Sequence, residues 1–170
     1  IFEDAYENAI QTTGGKNINI INCTIRNIGN NGIVLSNTPN SQIADNDIYN
    51  IGNRGVYGYA GDRRNLISGN VLVSNNHISH FARTNRTYKP AISLNAVGNT
   101  ASNNLIHDAP HSAILFSQNN MVIEYNEIYN VLLETDDAGA IYGGRDLTAR
   151  GSIIRYNKIY NSGGFSTVYG

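Results

Sequence analysis

The heptapeptide EYNEIYN, residues 124–130, has copies along the chain: INCTIRN at 21–27, ADNDIYN at 44–50, SNNHISH at 74–80, SNNLIHD at 102–108 and RYNKIYN at 155–161. Taking Cys23, Asn46, Asn76, Asn104, Asn126 and Asn157 as equivalent gives intervals of 23, 30, 28, 22 and 31 residues. Two residues after each of them stands Ile: Ile25, Ile48, Ile78, Ile106, Ile128 and Ile159. Three residues before comes a mostly aliphatic position, filled by Ile20, Ile43, Val73, Ala101, Ile123 and Ile154. A third apolar column, Ile33, Val56, Ile92, Ile114, Ile141 and Val168, mostly follows a Gly or another small residue. Repetition at such periods marks a solenoid, in which each repeat buries its apolar face against the next.

Three short strand signals per repeat, each alternating apolar and polar residues, predict a three-sided coil with one strand on each side. The runs are too short for amphipathic helices of ordinary length. Gly and Asn between them suit corners that need positive φ or side-chain to backbone hydrogen bonds. Coils stacked at about 4.8 Å place each Ile over the last and build three parallel sheets around a dry core. Asn at the repeated corner then forms a ladder of amides, which Cys23 leaves unfinished in the first coil.

The pattern GIVLSN, NDIYN, NNHIS, AILFSQNN and NEIYN resembles the right-handed parallel β-helix repeat family over nearly the whole chain. Within that family, HDAPHSAILFSQNNMVIEYNEIYN followed by ETDDAGAIYGGRD is similar to carbohydrate-active bacterial proteins, including β-helical glycoside hydrolases with fucosidase and xylanase members. The resemblance implies an all-β, three-sided parallel β-helix of about six coils. It also implies a polysaccharide or oligosaccharide partner, and an extracellular, periplasmic or cell-surface location. Residues 1–170 read as a single domain uncapped at both ends, which is the expectation for a fragment of a longer solenoid, since open coil ends expose unpaired strand edges.

Unequal repeat lengths point to the site. A coil of 22 or 23 residues is close to the minimum, so the surplus in longer coils leaves as loops, at 79–90 and 129–139 before the third-column strand and at 57–70 and 142–152 after it. The sheet made by that column becomes the floor of a groove. Down its leading edge run Arg54, Lys89, His111 and the pair Asp136 and Asp137, from consecutive coils and roughly 5 to 10 Å apart along the axis. Polygalacturonases, also right-handed β-helices, place an Asp pair just before a strand of this kind. Their other signatures are missing here, so their substrate is not carried over.

Glu134, Asp136, Asp137 and Asp146 put four carboxylates, with Arg145, inside the thirteen residues 134–146. Two neighbouring carboxyls permit glycoside hydrolysis, because crowding like charges keeps a proton on one while the other acts as base or nucleophile. Asp136 and Asp137 are the expected pair, with Asp146 as the substitute partner. His111 would tune the acid or bond a sugar hydroxyl. Lys89, Arg145, Arg54 and Glu134 would bind substrate, and Tyr142 would stack under a ring. The rival enzyme is a lyase in which Glu134, Asp136 and Asp137 hold Ca²⁺ against a uronate while Lys89 or Arg145 takes the proton. The third class is a non-catalytic carbohydrate-binding or adhesive solenoid. Hydrolysis itself calls for no cofactor or metal.

Blander readings cover the remaining polar residues. An Asp pair before Gly also caps turns. His77, His80 and His107 read as surface residues, Asp108 as a corner variant, and Arg63, Arg64, Arg83 and Arg86 as solvated loop charges. Tyr49, Tyr129 and Tyr160 read as an outward stack across coils. With 15% charged residues and a net charge of −1, the chain lacks the basic surplus of a nucleic-acid binder. It has no apolar run long enough for a membrane span. One cysteine excludes an internal disulfide.

Overall fold

The computed structural model describes residues 1–164 and consists of short strands in three parallel sheets. The first sheet holds Phe2–Glu3, Thr24–Ile28, Asp47–Ile51, His77–Ser79, Leu105–His107, Glu127–Tyr129 and Lys158–Tyr160 in that spatial order. The floor sheet holds Ile10–Thr13, Ile33–Ser36, Val56–Asp62, Ile92–Ala96, Ile114–Phe116 and Ile141–Tyr142. The third is built from Asn19–Ile21, Gln42–Ala44, Leu72–Ser74, Thr100–Ser102, Val122–Glu124 and Ile153–Arg155. Phe2 pairs with Ile25 and Ile10 with Ile33, so a further partial coil precedes the six that the Asn signature counts. Val168 and the expected strand at 167–169 lie outside the described residues. Among the described residues no helix is long and apolar enough to cross a membrane.

The predicted columns stack in register. Ile25, Ile48, Ile78, Ile106, Ile128 and Ile159 are consecutive partners in the first sheet, and the first five have no exposed surface. Removing such a side chain from water stabilises the fold by roughly 1.5 to 3 kcal/mol. The small residue before each floor strand is also explained. A Cβ on Gly55 would sit 2.7 Å from the Ala91 carbonyl oxygen and 2.8 Å from an Ile78 methyl, because the chain passes here against both its neighbouring coil and the core.

Corners are turned by residues in the left-handed region, in three columns. Asn22, Asp45, Asn75, Asn103, Tyr125 and Tyr156, at φ of 54 to 56°, precede the ladder position. Asn27, Asn50, His80, Asp108, Asn130 and Asn161, at 48 to 57°, follow the first-sheet strand. Asn17, Asn40, Asn70, Gly98, Asn120 and Gly151 open the third-sheet strand. Asn tolerates this conformation better than other residues with a Cβ, which accounts for the Asn-rich composition.

The ladder closes as a chain of paired bonds. Asn46 Nδ2 donates to Asn76 Oδ1, Asn76 to Asn104, Asn104 to Asn126 and Asn126 to Asn157, at 2.9 to 3.0 Å. Each amide also donates to a third-sheet carbonyl, as Asn104 does to Val73 at 2.9 Å. Each Oδ1 further accepts the backbone N–H of the previous ladder residue, so all amide hydrogen-bonding capacity that matters is used. Cys23 gives only its backbone N–H to Asn46 Oδ1, and the side-chain series stops there.

Surplus residues leave on both sides of the floor sheet, but not all as irregular loop. The floor strand beginning at Val56 runs on to Asp62 and returns as Ile67–Ser68, an antiparallel hairpin. Arg63, expected to be solvated, instead ties this hairpin to the 142–152 loop. Its Nη2 lies 2.6 Å from Asp146 Oδ2, and its Nε donates to Asn119 Oδ1 at 3.1 Å. Asp146 also accepts from the Thr148 backbone N–H and hydroxyl. The Arg63 hydrogen bond first, then those from Thr148, hold the Asp146 carboxyl at about 2.

Two outcomes are expected. Asn104→Ala removes four buried hydrogen bonds and should lower unfolding stability by on the order of 3 kcal/mol, read from the urea midpoint at unchanged slope. The Asp146 carboxyl should titrate near 2 by NMR and move up toward about 3.9 in Arg63→Gln. Because the folded value is depressed, the contribution of this contact to stability is present above the unfolded value and fades as pH falls toward 2.

Candidate functional site

The leading edge of the floor sheet begins as a second amide ladder. Asn8 Oδ1 accepts from the backbone N–H and Nδ2 of Asn31, and Asn31 Oδ1 accepts the backbone N–H of Arg54. At Arg54 the column changes from amide to cation. The residue is half-buried; its guanidinium carbon lies 5.6 Å from the Tyr57 ring centroid, and its buried Nε has no hydrogen-bond partner among the described residues. Burial lowers the Arg54 pKa, with the Tyr57 charge acting in the opposite direction. One coil further on, burial and then the charge of Arg54 depress the Lys89 ammonium. No carboxylate lies within ion-pair distance of either cation among the described residues.

The face of the floor that points away from the core carries Tyr57, Ser93, Leu115 and Tyr142 in one registered column, with Tyr59 and Asn95 in the next. Ser117 donates to Asn95 Oδ1 at 2.7 Å, and Asn95 Nδ2 donates to Ser93 Oγ at 3.2 Å. Tyr88 stands with these residues over an open depression of about 190 Å³ that reaches Tyr142 and Gly144. A second depression of about 320 Å³ adjoins it on the trailing side, between Phe116, Gly143 and Arg150. Gly143 is needed where the two meet, since a Cβ there would fall 2.5 Å from the Phe116 ring. The alternation in VYGYA and ISLNA is the sequence signal by which Tyr57, Tyr59, Ser93 and Asn95 are legible as pointing away from the core, although Ser93 is itself covered; Tyr88 carries no such signal.

The expected site residues separate. His111 is only 1% exposed, with its ring 4.8 Å from that of Tyr88 and its Nδ1 without a partner. Burial lowers its pKa, because a charged ring would lose its hydration there. The chain at 132–135 stacks on 109–111 through Leu132 N–H to the His111 carbonyl and Glu134 N–H to that of Pro110. The residues after that contact bulge outward, leaving Asp136 and Asp137 exposed while His111 is enclosed. Glu134 is committed to Arg86, whose Nε donates to it at 2.8 Å, so Arg86 is not a solvated loop charge either. Asp146, held at about 2 by Arg63 and Thr148, keeps no proton near neutrality and does not fit the acid's role. Arg145 is exposed, in the left-handed region at φ 61°, and Tyr142 lies on the floor itself. Asp137 has no hydrogen bond or ion pair among the described residues, and Asp136 lies against Gly164. Among the described residues no three His, Cys, Asp or Glu side chains gather closely enough to hold a metal ion.

Elsewhere the outward stack expected of Tyr49, Tyr129 and Tyr160 forms only in part: Tyr49 stands between Arg26 and Ser79 in register, and His107, read as a surface residue, joins the stack instead. His107 stacks on Tyr129 and Tyr129 on Tyr160, with centroids 4.6 and 5.2 Å apart. Asp108 occupies the corner column and accepts from Asn130 Nδ2 at 3.0 Å.

The three-sheet stack, the ladder and the register agree with the family comparison. No curated protein and no solved structure is similar to the chain at a significant level. A family profile described as right handed beta helix region matches residues 8–170. The chain therefore belongs to the right-handed β-helix family.

Proposed function

We propose that the outer face of the floor sheet binds an acidic polysaccharide, in an extracellular, periplasmic or cell-surface setting where such polymers are met. The observation that carries this reading is the pair of half-buried cations, Arg54 and Lys89, side by side with no carboxylate partner among the described residues. Two like charges in a partly desolvated edge repel each other, and an anionic group between them relieves that cost. A uronate carboxylate suits the guanidinium fork of Arg54. Tyr57 and Tyr142 offer ring faces along the same groove, and Asn95 and Ser117 offer an amide and a hydroxyl to sugar hydroxyls. An open groove crossing successive coils suits a long chain better than a closed ligand.

Hydrolysis of that chain is the second reading, favoured by one observation. Of the four carboxylates between 134 and 146, Glu134 serves Arg86, Asp146 serves Arg63 and Asp136 has a contact of its own. Asp137 is left for chemistry at the leading edge, with Asp136 as the second carboxyl of a glycoside hydrolase.

Arg54→Gln and Lys89→Gln should each weaken binding to polygalacturonate about tenfold or more, since a charge-assisted hydrogen bond contributes roughly 1.5 to 3 kcal/mol. Binding to a neutral glucan should not change, and equal loss on both polymers would remove the acidic specificity. For hydrolysis, Asp137→Asn should lower kcat with KM largely retained, whereas the charge-matched Asp45→Asn should behave as the parent. Undiminished turnover in Asp137→Asn would take that residue out of the mechanism and leave the binding reading standing. A product absorbing as an unsaturated uronate would assign a lyase, with Lys89 as base.

A further inference from the structure

The outer face of the first sheet carries a group that the floor groove does not use. His77 and His107, diagonal neighbours on adjacent strands, bring their Nε2 atoms to 2.7 Å, with the rings stacked 4.9 Å apart. Behind each ring stands a carboxylate. His107 Nδ1 lies 2.9 Å from Asp108 Oδ2, and His77 Nδ1 lies 2.9 Å from Asp47 Oδ1. The second contact is off the hydrogen-bond axis, yet that Asp47 oxygen is buried and has no other donor. Asp108 only accepts, so His107 Nδ1 carries the hydrogen and His107 Nε2 presents its lone pair to His77. A neutral His77 ring that carries its hydrogen on Nδ1, the side of Asp47, sets a second lone pair against the first across 2.7 Å. Opposed lone pairs at that distance repel, and a cation between them removes the conflict.

We propose that His77 and His107 form a binding site for a divalent late first-row transition-metal ion, with Asp47 and Asp108 as positioning residues that orient the two rings. Imidazole suits Zn²⁺, Cu²⁺ and Ni²⁺, and a carboxylate on the far nitrogen of each ligating His fixes its tautomer and raises its basicity. Metal to nitrogen distances of about 2.0 to 2.1 Å in tetrahedral geometry need the nitrogens about 3.3 Å apart, so the rings separate by roughly half an ångström. That is a small side-chain rotation, and the His77 side chain is 44% exposed. Two protein ligands leave the other coordination positions to water. The ring of His80 is edge-on to that of His107 at 6.5 Å. The ion would clip the strand His77–Ser79 to Leu105–His107 and so staple two adjacent coils. A proton shared between the rings is the rival occupant.

The test is calorimetric titration of the untagged 170-residue chain with Zn²⁺ alone and Cu²⁺ alone, at mildly alkaline pH where imidazole is neutral. The expected result is saturable binding of one ion per chain, a raised melting temperature, and joint shifts of the His77 and His107 Nε2 resonances. His77→Gln and His107→Gln should each abolish the saturable phase, and Asp47→Asn should weaken it about tenfold or more. Melting of each variant in chelator shows that it is folded, and the nitrogen resonances of the parent give a readout that needs no substitution. A parent that takes up neither ion below millimolar concentration assigns the pair to a shared proton and overturns the proposal. So does binding of equal strength after both histidine substitutions.

Discussion

The amide ladder from Asn46 to Asn157 is the constraint on which the rest depends. Apolar columns alone would let one coil slide or rotate against the next, because Ile packs on Ile in more than one phase. A buried amide that donates to the next amide and to a fixed carbonyl, while accepting a backbone N–H, has one satisfied position per coil. Any slip leaves buried donors and acceptors unpaired, which costs more than the slip could return in packing. The ladder therefore sets phase, and the hydrophobic columns supply most of the stabilisation.

Once phase is fixed, extra residues have only the corners to leave from. Loop length costs little free energy, so coils of 28 to 31 residues coexist with one of 22. The surplus rises on both sides of the floor sheet and turns a flat parallel surface into a groove. The hairpin that ends at Ser68, held to the 142–152 loop by Arg63, makes one wall, and the 79–90 and 129–139 segments make the other.

Charges on the outer faces mostly pair across coils, as Arg26 does with Glu3, Arg155 with Glu124 and Lys158 with Glu127. Such exposed pairs contribute little to stability, but they show where the surface is electrostatically settled. Arg54 and Lys89 differ in being partly desolvated and, among the described residues, without a carboxylate partner, and His77 and His107 differ in bringing two ring nitrogens to 2.7 Å. Both departures lie on outward faces, where the coil stack does not need them.

By itself the sequence determined the repeat, the three apolar columns, the ladder and the sides from which the loops emerge. Each of these follows from residue type at a recurring position, and burial of a strand residue is decided by its own place in the coil. It overlooked the partial coil around Phe2 and Ile10, because that stretch carries no Asn signature. Only the tertiary structure decided which charged groups meet. Arg86 finds Glu134, Arg63 finds Asp146 and His77 finds His107 across coils of unequal length, where the stagger of loops and the rotamers of long side chains set the distance. The same stagger encloses His111 and leaves Asp137 outside, although their spacing from the following strand is nearly equal. A repeat fixes backbone register, but in a bulged loop side-chain direction depends on what the neighbouring coil has already occupied.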